Sequence, residues 1–146
     1  MKRLLISAVL AIALLFPANA FALYFFEGPI GSGANNAVVE IHVKFSGGEP
    51  AKVVAQLNDG TPGFTWSNAP IPGGCTDYGG LGVAMPVNNL GHFHGKNDYS
   101  GNRVATITGQ FKHKNRKIVG TLRLKGSFAG GCVNKDTGPM GYVGLR

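Results

Sequence analysis

Acidic residues are scarce in this chain, and so are cysteine and tryptophan. The 146 residues include 7 Asp and Glu against 14 Lys and Arg, with two cysteines and one tryptophan. The seven acids are scattered along the sequence, and nothing points to the two facing carboxylates that a glycosidase needs. Nucleophile-elbow, phosphate-loop and zinc-protease patterns are also absent. The sequence therefore gives no positive sign of a catalytic centre, and no motif indicates a cofactor.

Long apolar runs are missing except at the start of the chain. Two basic residues precede the apolar segment Leu4–Phe16, and small-residue A-x-A patterns end at Ala20 and Ala22. This arrangement is typical of a secretory signal peptide, because the apolar run is short for a membrane span; an uncleaved anchor helix is the alternative. We expect residues 1–22 to be removed. One domain, residues 23–146, would remain in the periplasm or outside the cell, without a transmembrane segment.

The balance of charge changes little when the signal is left out. Two of the 14 basic residues lie in it, so 12 remain against all 7 acids, a formal charge of +5. An excess of this size favours anionic partners such as cell-wall polymers, lipid head groups or nucleic acid, by long-range steering rather than by specific recognition. Simple solubility of an exported protein is the alternative explanation.

The two cysteines, Cys75 and Cys132, form an even pair in a chain expected to be exported. Such a pair predicts a disulfide. The bond would close a loop of about 58 residues, for which loop-closure entropy gives about 4 kcal/mol of stabilisation. A catalytic thiol is the alternative, although neither cysteine has a histidine close to it in sequence.

Alternation of apolar and polar residues is clearest in Arg103–Phe111 and Ile118–Phe128, which flank a charged stretch. A period of two indicates strands with one buried face, and the charged stretch between them indicates a hairpin turn. β-Branched residues and glycines argue against a helix over the same residues. The pattern predicts four inward-facing core residues, Ile107, Phe111, Leu122 and Leu124.

Further short apolar segments are separated by glycine-rich turns, and no helical period or internal repeat follows the signal. The pattern predicts an all-β, single-domain antiparallel sandwich or barrel, mostly a meander, with one disulfide. In one segment, Ala51–Leu57, every second residue from Ala51 is expected to face inward. Asn68–Gly82 is expected to be a long irregular connection, and Gly95–Asn102 a polar turn. The other expected strands are Leu23–Phe26, Ala37–Phe45, Phe64–Trp66, Leu81–Met85, Leu90–His94 and Met140–Leu145.

The C-terminal third carries a G-x-L-R stretch at Gly120–Arg123, then Gly131-Cys132, then Tyr142 shortly before the final Arg146. This segment resembles a loose class of small secreted bacterial β-proteins, whose last strands carry the same succession. The resemblance covers roughly residues 101–146. It implies an all-β exported domain and brings no activity or catalytic residue.

The charged turn of the hairpin is the most distinctive candidate surface. It holds four basic residues within six positions, and no acid occurs between Asn102 and Gly131. We interpret it as a site for an anionic polymer or membrane surface; a solvated turn that discourages aggregation is the alternative. No aromatic residue interleaves the charges, so sequence-specific nucleic-acid binding is not expected. The four residues are Lys112, Lys114, Arg116 and Lys117.

A second candidate is the sequence His92-Phe93-His94. On a strand the two imidazoles would face the same side and could share a metal ion, with Asp98 adding an oxygen. Exposed or hydrogen-bonded histidines are the alternative.

The sequence thus favours an exported, non-catalytic β-domain that acts as a binding or structural module. The alternative function is a small secreted hydrolase or metal-binding enzyme that uses His92, His94 and Asp98.

Overall fold

Alternating residues divide each strand into an inward and an outward face, and this alternation builds the fold. The computed structural model describes residues 21–100 and 102–146, in which eleven strands and two short 3-10 turns, but no α-helix, occur. The predicted signal lies outside these ranges except for Phe21 and Ala22. The strands are β1 Ala22–Pro29, β2 Val38–Ser46, β3 Glu49–Val53, β4 Phe64–Ile71, β5 Cys75–Leu81, β6 Met85–Pro86, β7 His92–Tyr99, β8 Arg103–Lys112, β9 Lys117–Phe128, β10 Cys132–Asp136 and β11 Met140–Leu145.

The strands form one antiparallel sheet in the order β5-β4-β2-β1-β11-β9-β8-β7, with β3, β6 and β10 attached at its sides. Neighbours along the chain pair as hairpins for most of this order, as a meander requires. The first and last strands, β1 and β11, also pair with each other. At the seam between β5 and β7, the Tyr99 hydroxyl donates a hydrogen bond to the carbonyl of Gly80. The sheet is therefore nearly closed as a barrel.

The inward faces of the strands fill the barrel with apolar side chains. All four core residues predicted from the hairpin are buried, which confirms the strand parity read from the sequence. The predicted hairpin strands also match β8 and β9 to within one residue at each end. The largest fully buried side chains are Trp66, Phe26, Phe64, Ile30, Ile41, Leu81, Met85, Ile107, Ile118, Leu122, Leu124 and Val39.

Two inward-facing glycines make room for aromatic rings on the neighbouring strands. A Cβ atom on Gly109 would lie 2.2 Å from Cζ of Phe93, its partner on β7. A Cβ atom on Gly120 would lie 2.0 Å from the carbonyl oxygen of Thr108, and the Tyr142 hydroxyl donates a 2.8 Å hydrogen bond to that oxygen. Each ring thus occupies space that a side chain would otherwise fill.

The disulfide between Cys75 and Cys132 is present, as the sequence predicts. It joins the first residue of β5 to the first residue of β10, which are 57 positions apart in sequence. We call the end of the barrel that carries it the disulfide end. The opposite end carries the β8–β9 turn, residues 113–116, and is called the hairpin end.

The prediction that Asn68–Gly82 is irregular is wrong, because these residues complete β4 and form β5. Asn68 has a positive φ of 52° at a bulge, and this bulge restores the pairing of Ala69 with Asp77. Pro70 lies beyond the part of β4 that pairs with β2, an edge-like position that tolerates proline. Gly79 is needed because a Cβ atom there would lie 2.7 Å from the ring of Trp66.

The prediction of a polar turn over Gly95–Asn102 is also wrong, because β7 continues to Tyr99. His92, His94, Lys96 and Asp98 face outward on this strand, whereas Gly95 faces inward at the seam and Asn97 shares its parity. A Cβ atom on Gly95 would lie 2.5 Å from Sδ of Met85 and 2.6 Å from Cδ2 of Leu81. The glycine that suggested a turn is there to let the two edges of the sheet approach.

The predicted strand Ala51–Leu57 begins earlier, at Glu49, and ends at Val53. Of its four residues expected to face inward, only Val53 is buried; Ala51 is exposed, and Ala55 and Leu57 are intermediate. A shift in register between Lys44 and Phe45 alters the pairing of β2 with β3, and the chain leaves the ladder after Val53.

No helix in the described part of the chain is long and apolar enough to cross a membrane.

Candidate binding surface at the hairpin end

The basic turn projects from the barrel because no residue in it could be buried. The last pair of the β8–β9 ladder is Lys112 with Lys117, two like charges directly opposite each other. Three consecutive residues of the turn, His113, Lys114 and Asn115, then adopt left-handed φ angles of 51°, 54° and 63°. Asparagine tolerates this conformation, whereas histidine and lysine adopt it less readily. The turn therefore presents its charges in a tightly wound loop.

None of the four predicted basic residues of this turn forms an ion pair within the described ranges. One acid from elsewhere in the chain does approach the turn. Glu49, at the start of β3, accepts a 2.7 Å hydrogen bond from Nδ2 of Asn115. The turn therefore has a carboxylate beside it even though no acid occurs between Asn102 and Gly131. This carboxylate binds the uncharged side chain of Asn115 and none of the basic residues.

Arg146 adds a fifth cationic residue to the hairpin end, one that the sequence did not identify as part of the site. Its backbone N–H donates a 3.2 Å hydrogen bond to the carbonyl of Arg116. Its guanidinium carbon lies 3.7 Å from the centroid of the Tyr24 ring and 5.9 Å from that of Phe45. These contacts hold the final residue over the mouth of the barrel, with the charge stacked on aromatic faces.

The outward face of β1 is apolar where it reaches the hairpin end. Leu23 and Phe25 alternate with the inward Tyr24 and Phe26, and they are 56% and 42% exposed. Leu145 on the neighbouring β11 is 58% exposed. β1 lies between β2 and β11 within the sheet. The outward-facing residues of β8 are polar, whereas Leu23 and Phe25, which face outward on β1, are apolar. We call Leu23, Phe25 and Leu145 the apolar face.

Basic residues border the apolar face on two sides. On the β2 side, Lys44 is the direct partner of Leu23, and its Nζ lies 3.7 Å from the centroid of the Phe21 ring. On the β9 side, Lys117 of the basic turn is the direct partner of Leu145. Hydrophobic and cationic side chains thus share one exposed surface.

Two acids also border the apolar face, and one of them, Glu27, is the direct partner of Leu145 on β11. Glu27 and Glu40 are direct cross-strand partners, and both are exposed. Sequence reasoning did not bring these carboxylates together, because 13 positions separate them. Both carboxylates are solvated on an open sheet face, so the pair is a source of like-charge repulsion.

The predicted metal-binding residues lie on the outward face of β7 and do not converge. His92 and His94 face outward opposite Gln110 and Thr108. Asp98 is two outward positions further along the strand and forms a 3.1 Å ion pair with Lys96. Within residues 21–100 and 102–146, no three His, Cys, Asp or Glu side chains are placed to hold a metal ion. The structure therefore does not bring Asp98 together with the two histidines, and the metal site stays a prediction from the sequence.

A buried polar cluster at the disulfide end was missed by sequence reasoning. Asp77 is buried and accepts a 2.8 Å hydrogen bond from Nε1 of Trp66. It also forms a 2.5 Å ion pair with Arg103, whose guanidinium lies between the rings of Tyr99 and Phe128. Burial raises the pKa of the Tyr99 hydroxyl. The cluster fills the end of the barrel, so its geometry is that of a structural plug.

A second ion pair lies on the outer surface between β9 and β10. Arg123 donates from Nε to Oδ1 of Asp136 at 2.9 Å and from Nη2 to Oδ2 at 2.5 Å. This two-point contact holds the pKa of the Asp136 carboxyl well below its usual range and raises the pKa of Arg123. Asp136 also accepts a 2.9 Å hydrogen bond from the backbone N–H of Gly138.

Comparisons with protein-family models, with curated proteins and with solved structures found no match for this chain.

Proposed function

We propose that this chain is an exported, non-catalytic β-domain that acts as a binding module for anionic surfaces. Its contact residues are the basic side chains of the hairpin end, Lys112, Lys114, Arg116 and Lys117, joined by Arg146. The observation that carries the proposal is that the four charges of the turn make no ion pair within the described residues. Such charges are available to an external anion, and their effect depends on the salt concentration.

The distribution of the acids supports the same proposal. Asp77, Asp98 and Asp136 each form an ion pair with a basic residue of the barrel. Those three acids lie on or towards the disulfide end, so they do not neutralise the basic turn, which is approached by Glu49 alone among the acids of the described ion pairs and hydrogen bonds. The disulfide is compatible with an exported protein.

The test compares two variants that lose the same charge from opposite ends of the barrel. In the first, Lys112, Lys114 and Lys117 are replaced by Gln; in the control, Lys96, Lys125 and Lys135 are replaced by Gln. Retention on heparin and on isolated cell envelopes is measured over a salt series. We expect the first variant to elute at lower salt than the parent, because three contact charges are lost, and the control to elute close to the parent.

Two results would contradict the proposed function. One is equal elution of the two variants, which would mean that only net charge matters. The other is a parent protein that binds neither matrix at physiological salt, in which case the basic turn is only a solvated turn.

A further inference from the structure

We propose that the anionic surface bound by this domain is a lipid bilayer, and that Leu23, Phe25 and Leu145 enter the interface between head groups and acyl chains. This inference rests on the proposed function and names its partner. The proposal arises from the position of the apolar face, which shares the hairpin end with the unpaired basic residues.

The exposed hydrophobic side chains of the described residues are not spread evenly. One of the eight large ones, Phe21, precedes the expected cleavage site after Ala22, and three of the other seven lie together on β1 and β11, namely Leu23, Phe25 and Leu145. The other four, Tyr78, Val83, Leu90 and Val133, are distributed over β5, β10 and two loops. Single exposed hydrophobic residues are normal on a protein surface, but a contiguous group marks an interaction surface.

The charges around the apolar face determine which partner it fits. Lys44 and Lys117 are direct cross-strand partners of Leu23 and Leu145, and Arg146 lies over the adjacent barrel mouth. Apolar side chains flanked by lysine and arginine match an anionic bilayer, where the acyl region accepts the former and lipid phosphates bind the latter. Glu27 is the direct partner of Leu145, and Glu40 is the partner of Glu27, so this acidic edge of the face stays in water at the level of the head groups. Leu23 and Phe25 lie on the part of β1 that extends past Leu145, and they enter the bilayer furthest.

The other possible occupants fit less well. A hydrated anionic polymer would use the basic residues but would leave the three apolar side chains without a partner. A second copy of the chain would bring its own Lys44, Lys117 and Arg146 to the same surface, where two carboxylates, Glu27 and Glu40, are too few to pair with the three basic residues of the partner. A bilayer satisfies both the hydrophobic and the basic groups of this surface.

The test uses the full mature protein and vesicles made of equimolar phosphatidylglycerol and phosphatidylcholine. In the test variant, Leu23, Phe25 and Leu145 are all replaced by Thr, which suits an exposed strand position. In the control, Val83, Leu90 and Val133, which are exposed elsewhere, are replaced by Thr. Vesicle binding is measured by sedimentation, heparin retention is measured in parallel, and light scattering gives the oligomeric state.

We expect the test variant to lose at least about tenfold in vesicle partitioning, because burying one such side chain is worth roughly that factor or more. Its heparin retention should equal that of the parent, since no basic residue is changed, and the control should bind vesicles as the parent does. Thermal unfolding of both variants verifies that they remain folded at the temperature of the assay.

The outcomes separate this inference from the proposed function. If both Thr variants bind vesicles as the parent does while heparin retention persists, the bilayer inference is wrong and the proposed function stands. If the parent binds neither heparin nor vesicles, the proposed function fails as well. If light scattering shows a parent dimer that the test variant abolishes, the apolar face is a contact between two copies and the bilayer inference is overturned.

Discussion

Lys117 and Leu145 are direct partners on β9 and β11, so a charge of the basic turn and an exposed hydrophobic side chain stand side by side on the outer surface. This pairing is a consequence of topology, because β11 inserts between the first strand and the hairpin. It joins the basic turn predicted from the sequence to the apolar face on β1. The two features therefore form one surface at the hairpin end.

Substitutions at two adjacent positions of β9 test the two faces of the barrel. Leu122 is fully buried, whereas the side chain of Arg123 is half exposed. Leu122→Ala should lower the free energy of unfolding by about 2–5 kcal/mol, as buried leucine truncations do. Arg123→Ala should cost less, although its ion pair with Asp136 is lost. Denaturant unfolding measures both, and equal losses would contradict the assigned parity.

A pair of glycines on neighbouring strands tests the packing of the interior. A Cβ atom on Gly120 would lie 2.0 Å from a backbone oxygen, whereas a Cβ atom on the exposed Gly141 would meet nothing within 4 Å. Gly120→Ala should therefore destabilise the fold by about 1–3 kcal/mol or more, because the backbone must move. Gly141→Ala should be nearly neutral. Similar thermal midpoints for the two variants would refute this description of the interior.

The strands β8, β9 and β11 could be predicted from sequence because their alternation is regular and their β-branched residues exclude a helix. The second half of β4, the strand β5 and the part of β7 beyond His94 could not, because their glycines and prolines serve distant contacts. Gly95, for example, has no side chain because the side chains of Leu81 and Met85 occupy that space across the seam. Such tertiary demands override local propensity and leave no periodic signal.

Of the two parts of the candidate surface, the basic turn could be predicted from the sequence and the apolar face could not. The residues of the basic turn are consecutive in the sequence, and their charges cannot be buried in a core, so they must lie on the surface of the protein. The apolar face depends on which strands flank β1, and this cannot be read from residues 22–29 alone. One signal was available: Leu23, Tyr24, Phe25 and Phe26 are all apolar, and a strand with both parities apolar must either be buried on both faces or expose one of them.

The Arg123–Asp136 pair predicts a dependence of stability on pH. The Asp136 carboxyl has a lower pKa in the folded chain than its ordinary value of 3.8. Its charged form therefore stabilises the fold above the unfolded pKa, and this stabilisation is lost as pH falls through the acid range below about 4. Asp136→Asn should be destabilising at neutral pH, and the difference from the parent should shrink towards about pH 2. A difference that is constant across this range would contradict the assignment.

The disulfide predicts the chemical state of the thiols and a large contribution to stability. Thiol titration of the denatured, unreduced mature protein should find no free thiol. Replacing Cys75 and Cys132 together by Ala should cost about 4 kcal/mol, because the unfolded chain regains the freedom of a long loop. Two free thiols in the untreated protein, or an unfolding curve that the double substitution leaves unchanged, would overturn this prediction.

The most direct test of the bilayer surface is to locate the residues that approach lipid. Backbone amide signals of the isotopically labelled mature protein are recorded by NMR with anionic bicelles, with and without a spin-labelled lipid. We predict that the spin label broadens the signals of Tyr24, Phe25, Lys117 and Leu145 and leaves those of Asp98 and Lys135, towards the disulfide end, sharp. Broadening centred on the disulfide end, or none at all under conditions where the protein binds the bicelles, would contradict the assignment of this surface.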